Sequence, residues 1–252
     1  APKHQKIKEL LMGGEIGKIT SVDFNWFLDT SHGADYFRRW HRLRSKGGSL
    51  WVHKASHHFD LINWWIDGEP VEVSALGTLA NYGKSGPFRH TNCRPCPHKD
   101  KCSYFWDINK SPNLVALYNN CESADGYQRD GCVFKEDIDI FDTMNAVVKY
   151  TNGVNMSYSV NTFMPIEGYY LAFNGTGGRL EVRDYERQPW DPGEETVMHV
   201  TKNFGKRVKI ELTSFNAPSA VDTNEMPSLA LRLACSSERT CARKRSEIAN
   251  PA

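Results

Sequence analysis

The chain has 252 residues, 40% hydrophobic and 24% charged, with a formal net charge of +1. That composition is a folded globular one, and so even a charge balance argues against nucleic acid or an anionic membrane as partner. No apolar run reaches the roughly 18 residues of a membrane-spanning helix, and the N-terminus has no signal-peptide core, so the expected compartment is the cytoplasm.

Ile7, Leu10 and Leu11 make one apolar stripe of a first helix, which Gly13-Gly14 ends. This pattern starts abruptly, as if a segment preceded it. Val22, Phe24, Trp26 and Leu28 then alternate with Asp23, Asn25 and Phe27, which predicts a half-buried strand over 22–28. The loop after it, "DTSHGADYFRRWHRLRSKGGS", is polar and aromatic. Asp29, His32, Arg39 and Trp40 offer acceptors, donors and a flat face, the equipment for holding a sugar or polyol. The plainer alternative makes Trp40 a core residue and the arginines solvated.

Residues 53–65 read "HKASHHFDLINWW". With Ser56 as N-cap, His57 takes the first helical position, and Leu61, Trp64 and Trp65 bury one stripe. The positive end of the helix dipole disfavours imidazolium there, and a neutral imidazole is a competent general base. Asp60 sits one turn on, placed to orient the ring, and Lys54 can donate to a substrate oxygen. The plainer alternative is a surface helix with satisfied histidines. His53 and His57 also have a zinc-compatible spacing, but no third ligand accompanies them. Gly68-Glu69-Pro70 stops the helix, and "VEVSAL" (71–76) is the next strand.

Residues 80–133 read as an irregular, cysteine-rich insertion with one short helix near 112–120. Cys93-x2-Cys96-x5-Cys102 lets three thiolates face one ion, with Cys132 as the fourth ligand and Cys121, His90 and His98 as rivals. A long excursion with little regular structure needs a staple. Zinc supplies one; an iron–sulfur cluster is the alternative, and disulfides are the third choice for an exported protein.

Strands dominate afterwards. Asn152-Gly153 is a two-residue hairpin signal, "YYLAFNGTGGRLEVRDY" reads as a second hairpin, and "RVKIEL" (207–212) is a last strand. Gly175-Thr176-Gly177-Gly178 lacks both phosphate-loop spacings and precedes a strand, so it is a plain turn. The sum is an α+β pattern, an antiparallel sheet with two or three helices. The domain runs over 1–215. Every Phe, Tyr and Trp lies at or before Phe215, and residues 216–252 carry an Arg, Ser and Cys bias instead. That atypical tail is either the product of a reading-frame shift or a natural basic extension.

"GKITSVDFNWFLD", "ADYFRRWHR", "GGSLWVHKASHHFDLINWW", "EPVEVSALG", "EDIDIFDTMNAVVKYTNGVNMSYSV" and "AFNGTGGRLEV" occur in this order over about residues 3–214. Together they resemble the C-terminal domain of the Gfo/Idh/MocA family, the glucose–fructose oxidoreductase and inositol dehydrogenase-like enzymes. The resemblance implies an open, mainly antiparallel sheet with helices on one face, substrate contacts, and an oligomer interface on the sheet. It also implies a preceding Rossmann domain that binds NAD or NADP, without which this chain is expected to bind no nicotinamide and to be inactive. The implied reaction is hydride transfer between that cofactor and a carbinol carbon of a sugar or polyol. The family's Asp-x-x-x-His followed by x-x-Asp falls on His53, His57 and Asp60, so His53 departs from the pattern and His57 is the implied general acid/base. Lys54 is not the family's catalytic lysine, which belongs to a Glu-Lys-Pro motif in the first domain. Two other readings share these residues: a metal-stapled carbohydrate-binding or scaffold module without redox activity, and an enzyme that uses NAD transiently to cleave or epimerise a glycoside.

Overall fold

Alternating apolar residues in the second half of the chain give strands, and their number sets the architecture. A computed structural model describes residues 1–189 and 196–212, so the 216–252 tail lies outside the described residues. Among the described residues, eight strands form one sheet. They are β1 (Ile19–Asp29), β2 (Pro70–Thr78), β3 (Thr143–Tyr150), β4 (Asn155–Met164), β5 (Glu167–Gly175), β6 (Gly178–Arg187), β7 (Thr196–Lys202) and β8 (Arg207–Ile210). The sheet order is β2-β3-β4-β1-β5-β6-β7-β8. Every neighbouring pair is antiparallel except β1 with β4. The expected open, mainly antiparallel sheet is what forms.

The local signals behave as their chemistry requires. Gly153, at φ +85°, makes the β3–β4 turn that Asn152-Gly153 announces. Gly175 pairs with Gly178 across the β5–β6 turn, so this glycine stretch joins two strands and cradles no phosphate. β2 is longer than expected and lies at the sheet edge. Pro70 is its first residue, a position that tolerates a missing N–H.

One sheet face is covered. In β1, Val22, Phe24, Trp26 and Leu28 are buried while the side chains between them are partly exposed. The helices of this unit are α1 (Pro2–Met12), α2 (Thr30–Arg38), α3 (Arg44–Gly47), α4 (Leu50–His53) and α5 (Ala55–Ile66). There are more of them than expected because the 29–49 segment, read as loop, carries its own caps. Asp29 accepts from the main-chain N–H of Ser31 and His32 and so starts α2. α2 lies so close to β4 that a Cβ at Gly33 would stand 1.6 Å from the carbonyl oxygen of Thr162. α5 packs on the same covered face, with Trp65 edge-on to Phe173 and His58 against Phe24. Truncating a side chain as large and buried as Trp65 costs about 3–5 kcal/mol.

Residues 90–132 form a second compact unit, with α6 (Pro112–Leu117) in the region expected to be helical, and α7 (Glu122–Asp125). Its N- and C-terminal segments meet at an isolated bridge between Asn92 and Gly131.

Candidate active site

The wall of the site is the 49–58 segment. Ser49, at φ +78°, starts α4 by accepting from the N–H of Trp51 at 3.3 Å. The helical path breaks at Lys54 (φ −116°, ψ −51°) and α5 begins at Ala55. The expected N-cap at Ser56 is therefore corrected: the chain has already turned helical, and His57 is the third residue of α5. The buried stripe also differs. Ala55, His58, Ile62, Trp65 and Ile66 face the sheet, whereas Trp64 is 45% exposed. Trp65 wins over Trp64 because its Nε1 donates to the His4 carbonyl at 3.0 Å while its ring meets Phe173.

This rotation separates the histidines. His58 is buried, stacked on Trp26 with centroids 4.1 Å apart, and its Nδ1 lies 2.7 Å from the Tyr158 hydroxyl. Burial, then the charges of Lys54 and His57, lower its pKa to about 3. The neutral imidazole expected at 57 is thus most firmly neutral at His58, where it is part of the core. His57 and Asp60 are both exposed, and no hydrogen bond joins them among the described residues.

His53 is exposed at the end of α4, with its Nε2 2.8 Å from Nε2 of His41. Burial, then Arg39 and His57, lower its pKa from the ordinary histidine value. The Lys54 ammonium lies 4.9 Å from the centre of the Trp26 ring and makes no ion pair or hydrogen bond among the described residues. Burial lowers its pKa, while Glu167 and Glu186 oppose that shift. A half-buried ammonium without an acceptor is suited to a substrate oxygen.

The expected substrate residues are brought near one another, but most are engaged. Asp29 caps α2 and pairs with Arg187 at 3.2 Å. His32 Nδ1 meets Glu167 at 2.7 Å. Arg39 reaches Asp35 at 3.4 Å. Trp40 lays one ring face on His41, centroids 3.7 Å apart, so that face is not open to a sugar. Glu167, Tyr36, His41 and Arg187 escaped the sequence reading. A lone Glu between apolar strand residues was the available signal for Glu167, whose carboxylate also accepts from the N–H of Asp29 at 2.9 Å. Tyr36 stacks on His32 and meets His41 and His53 edge-on; burial, then Asp35 and Glu167, raise its pKa to about 12.

The family model described as "Oxidoreductase family, C-terminal alpha/beta domain" matches residues 8–217. The chain belongs to this family, Gfo/Idh/MocA. It is 42% identical over 214 residues to YteT of Bacillus subtilis (strain 168), whose name classes it among the oxidoreductases. That match covers 78% of this chain and 50% of YteT, so the chain spans about half the length of this curated relative. Among solved structures, an oxidoreductase-class protein from Thermotoga maritima shares 15% identity at a TM-score of 0.50, over 84% of this chain and 45% of that one. An oxidoreductase domain protein from Kribbella flavida shares 16% identity at a TM-score of 0.50, over 83% and 45%. At these identities the structures show the Gfo/Idh/MocA fold and nothing finer.

The metal expectation is corrected. Among the described residues, no group of three or more His, Cys, Asp or Glu side chains is placed to hold a metal ion. The zinc or iron–sulfur site that the spacing of Cys93, Cys96, Cys102 and Cys132 suggested is therefore not supported. A turn does form at Cys93–Cys96, where the Cys96 N–H donates to the Cys93 carbonyl at 3.1 Å. The tie in this unit is ionic instead. Asp130 accepts from Arg94 Nε and Nη2, both at 3.1 Å, from the Arg94 N–H at 2.9 Å and from Asn92 Nδ2 at 3.2 Å. Burial pushes the Asp130 carboxyl up, and those hydrogen bonds outweigh it and hold the pKa below the usual carboxylate value. Among the described residues, neither dinucleotide- nor phosphate-binding glycine spacing stands ahead of a helix.

Proposed function

We propose that this chain is the substrate-binding and oligomerisation part of an oxidoreductase that moves hydride between NAD or NADP and a hydroxyl-bearing carbon of a sugar or polyol. His57 is its general acid/base, with Lys54 holding the substrate oxygen and His53 and Asp60 beside them. The observation that carries this reading is the arrangement of 53–57. Two imidazoles are exposed four residues apart, and an ammonium without an acceptor lies between them in sequence. The family pattern falls on the same residues. His57 takes the hydroxyl proton as the carbon is oxidised and returns it on reduction. The Asp29–His32–Glu167–Arg187 network fixes the floor beside Lys54, with Asp29 and His32 reaching substrate only at their outer edges.

The open sheet face supports assembly of like chains. It is polar and ordered: Ser157 donates to Asp23 at 2.9 Å, Ser159 to Asn25 at 2.7 Å, and Arg207 and Arg179 both reach Glu181 at 3.3 Å. Val147 and Leu76 lie exposed on the outlying strands.

The test is turnover of sugars and polyols with NAD or NADP by the full-length protein. His57→Asn should lower turnover about 10²–10⁴-fold without loss of fold. Wild-type turnover in that variant would remove His57 from the mechanism.

A further inference from the structure

The position where the family pattern has a carboxylate is His53, and the structure gives this residue a partner the pattern does not contain. His41 Nε2 lies 2.8 Å from His53 Nε2. Two imidazole nitrogens at that separation need one donor and one acceptor, so one proton stands between them whichever ring carries it. The two rings are held unequally. His41 is 4% exposed, lies face to face with Trp40 and takes the edge of Tyr36 at an interplanar angle of 73°. His53 is exposed and meets Tyr36 and Trp40 at 75° and 76°. One ring is locked in an aromatic box and the other is presented from it.

We infer that His41 and His53 share a single proton in an Nε2–H···Nε2 hydrogen bond, and that His41 is the positioning residue that fixes His53 in the proton-transfer wall. The role in that wall rests on the function proposed above; the shared proton does not. A second proton on the pair is opposed. Partial burial of the His53 ring opposes it most, followed by Arg39, His57 and Lys54, all of cationic type, with a backbone hydrogen bond acting the other way. Tyr36, the hydroxyl-bearing group packed against both rings, has its pKa raised to about 12 and brings no negative charge near neutral pH. The pair therefore orients a side chain, as a carboxylate does, without placing a negative charge beside His57. His53 is a working substitution for the aspartate rather than a lost one.

Selective ¹⁵N labelling of histidine in this chain tests the bond directly. Nitrogen–nitrogen coupling across the hydrogen bond is expected between Nε2 of His41 and Nε2 of His53 near neutral pH. His41→Phe removes it. His41→Gln keeps a side chain that can donate or accept, so His53 should titrate closer to the wild type in His41→Gln than in His41→Phe. Absence of coupling in the wild-type chain, or identical His53 titration in the two variants, overturns the pair. In the full-length protein, His41→Phe and His53→Phe should each reduce turnover about 10²-fold, the cost of a misplaced group, with His41→Gln retaining most of it. Unchanged turnover in His53→Phe, with the coupling present, would strip the pair of its positioning role and leave only the bond.

Discussion

Asp130 and Glu167 are carboxylates 0% and 1% exposed, yet they hold their surroundings in different ways. Asp130 is closed around. The guanidinium and main-chain N–H of Arg94 and the amide of Asn92 converge on it, and Arg94 is in turn shared with Glu122. Glu167 is tied to groups that reach solvent. His32 is 32% exposed and Arg187, at 3.6 Å, is 55% exposed. A carboxylate sealed by a paired cation fixes a segment, whereas one held by half-exposed partners can transmit what happens at its rim. The first belongs to the 90–132 unit, the second to the floor beside Lys54. The chemistry of the partners, not burial, distinguishes scaffold from candidate site.

The largest expected effect separates ionic from metallic stapling. Asp130→Ala leaves Arg94 without its buried partner and should cost about 3–5 kcal/mol in urea unfolding. Chelator treatment of the wild type should leave the unfolding midpoint where it is. A midpoint that falls on chelation and survives Asp130→Ala would restore the thiol site. Next in size is Glu167→Gln, which keeps the shape but weakens charge-assisted bonds to His32 and the Asp29 N–H. We expect a loss of about 1.5–3 kcal/mol, together with reduced substrate affinity in the full-length protein, because α2 and the floor are set by the same bonds. Asp130→Ala should act on stability alone. If Glu167→Gln leaves affinity untouched, the contrast between the two carboxylates fails.

The sheet was legible because its signals are local. Val22, Phe24, Trp26 and Leu28 alternate with period two, and Asn152-Gly153 specifies a turn. The helix wall was legible in composition and not in phase. Ser56 is a good cap by type, but Ser49 caps the short α4 and the chain is helical again from Ala55, one residue before Ser56. One shift of register then leaves Trp65 buried as expected, turns Trp64 outward and puts His58 in the core. The thiol spacing registers only neighbours. The contact that organises that unit, Arg94 to Asp130, spans 36 residues and has no local signature. His41 and His53 are likewise 12 residues apart, and the bond that joins them is framed by Tyr36 and Trp40.

The expected effect that is smallest per unit of the measured variable comes from the buried imidazole on α5. His58 has a pKa of about 3 when folded, against 6.5 for an unperturbed histidine. Between those values the unfolded chain binds the proton and the folded chain does not, so stability falls as pH is lowered from 6.5 towards 3. The slope reaches about 1.4 kcal/mol per pH unit for one such group. His58→Phe removes that slope contribution, while the baseline also drops because the Tyr158 hydroxyl loses its partner; the slope, not the baseline, is the readout. His4, lowered to about 4, contributes to both proteins and cancels in the comparison. An acid slope in His58→Phe as steep as in the wild type would take the buried imidazole out of the acid limb.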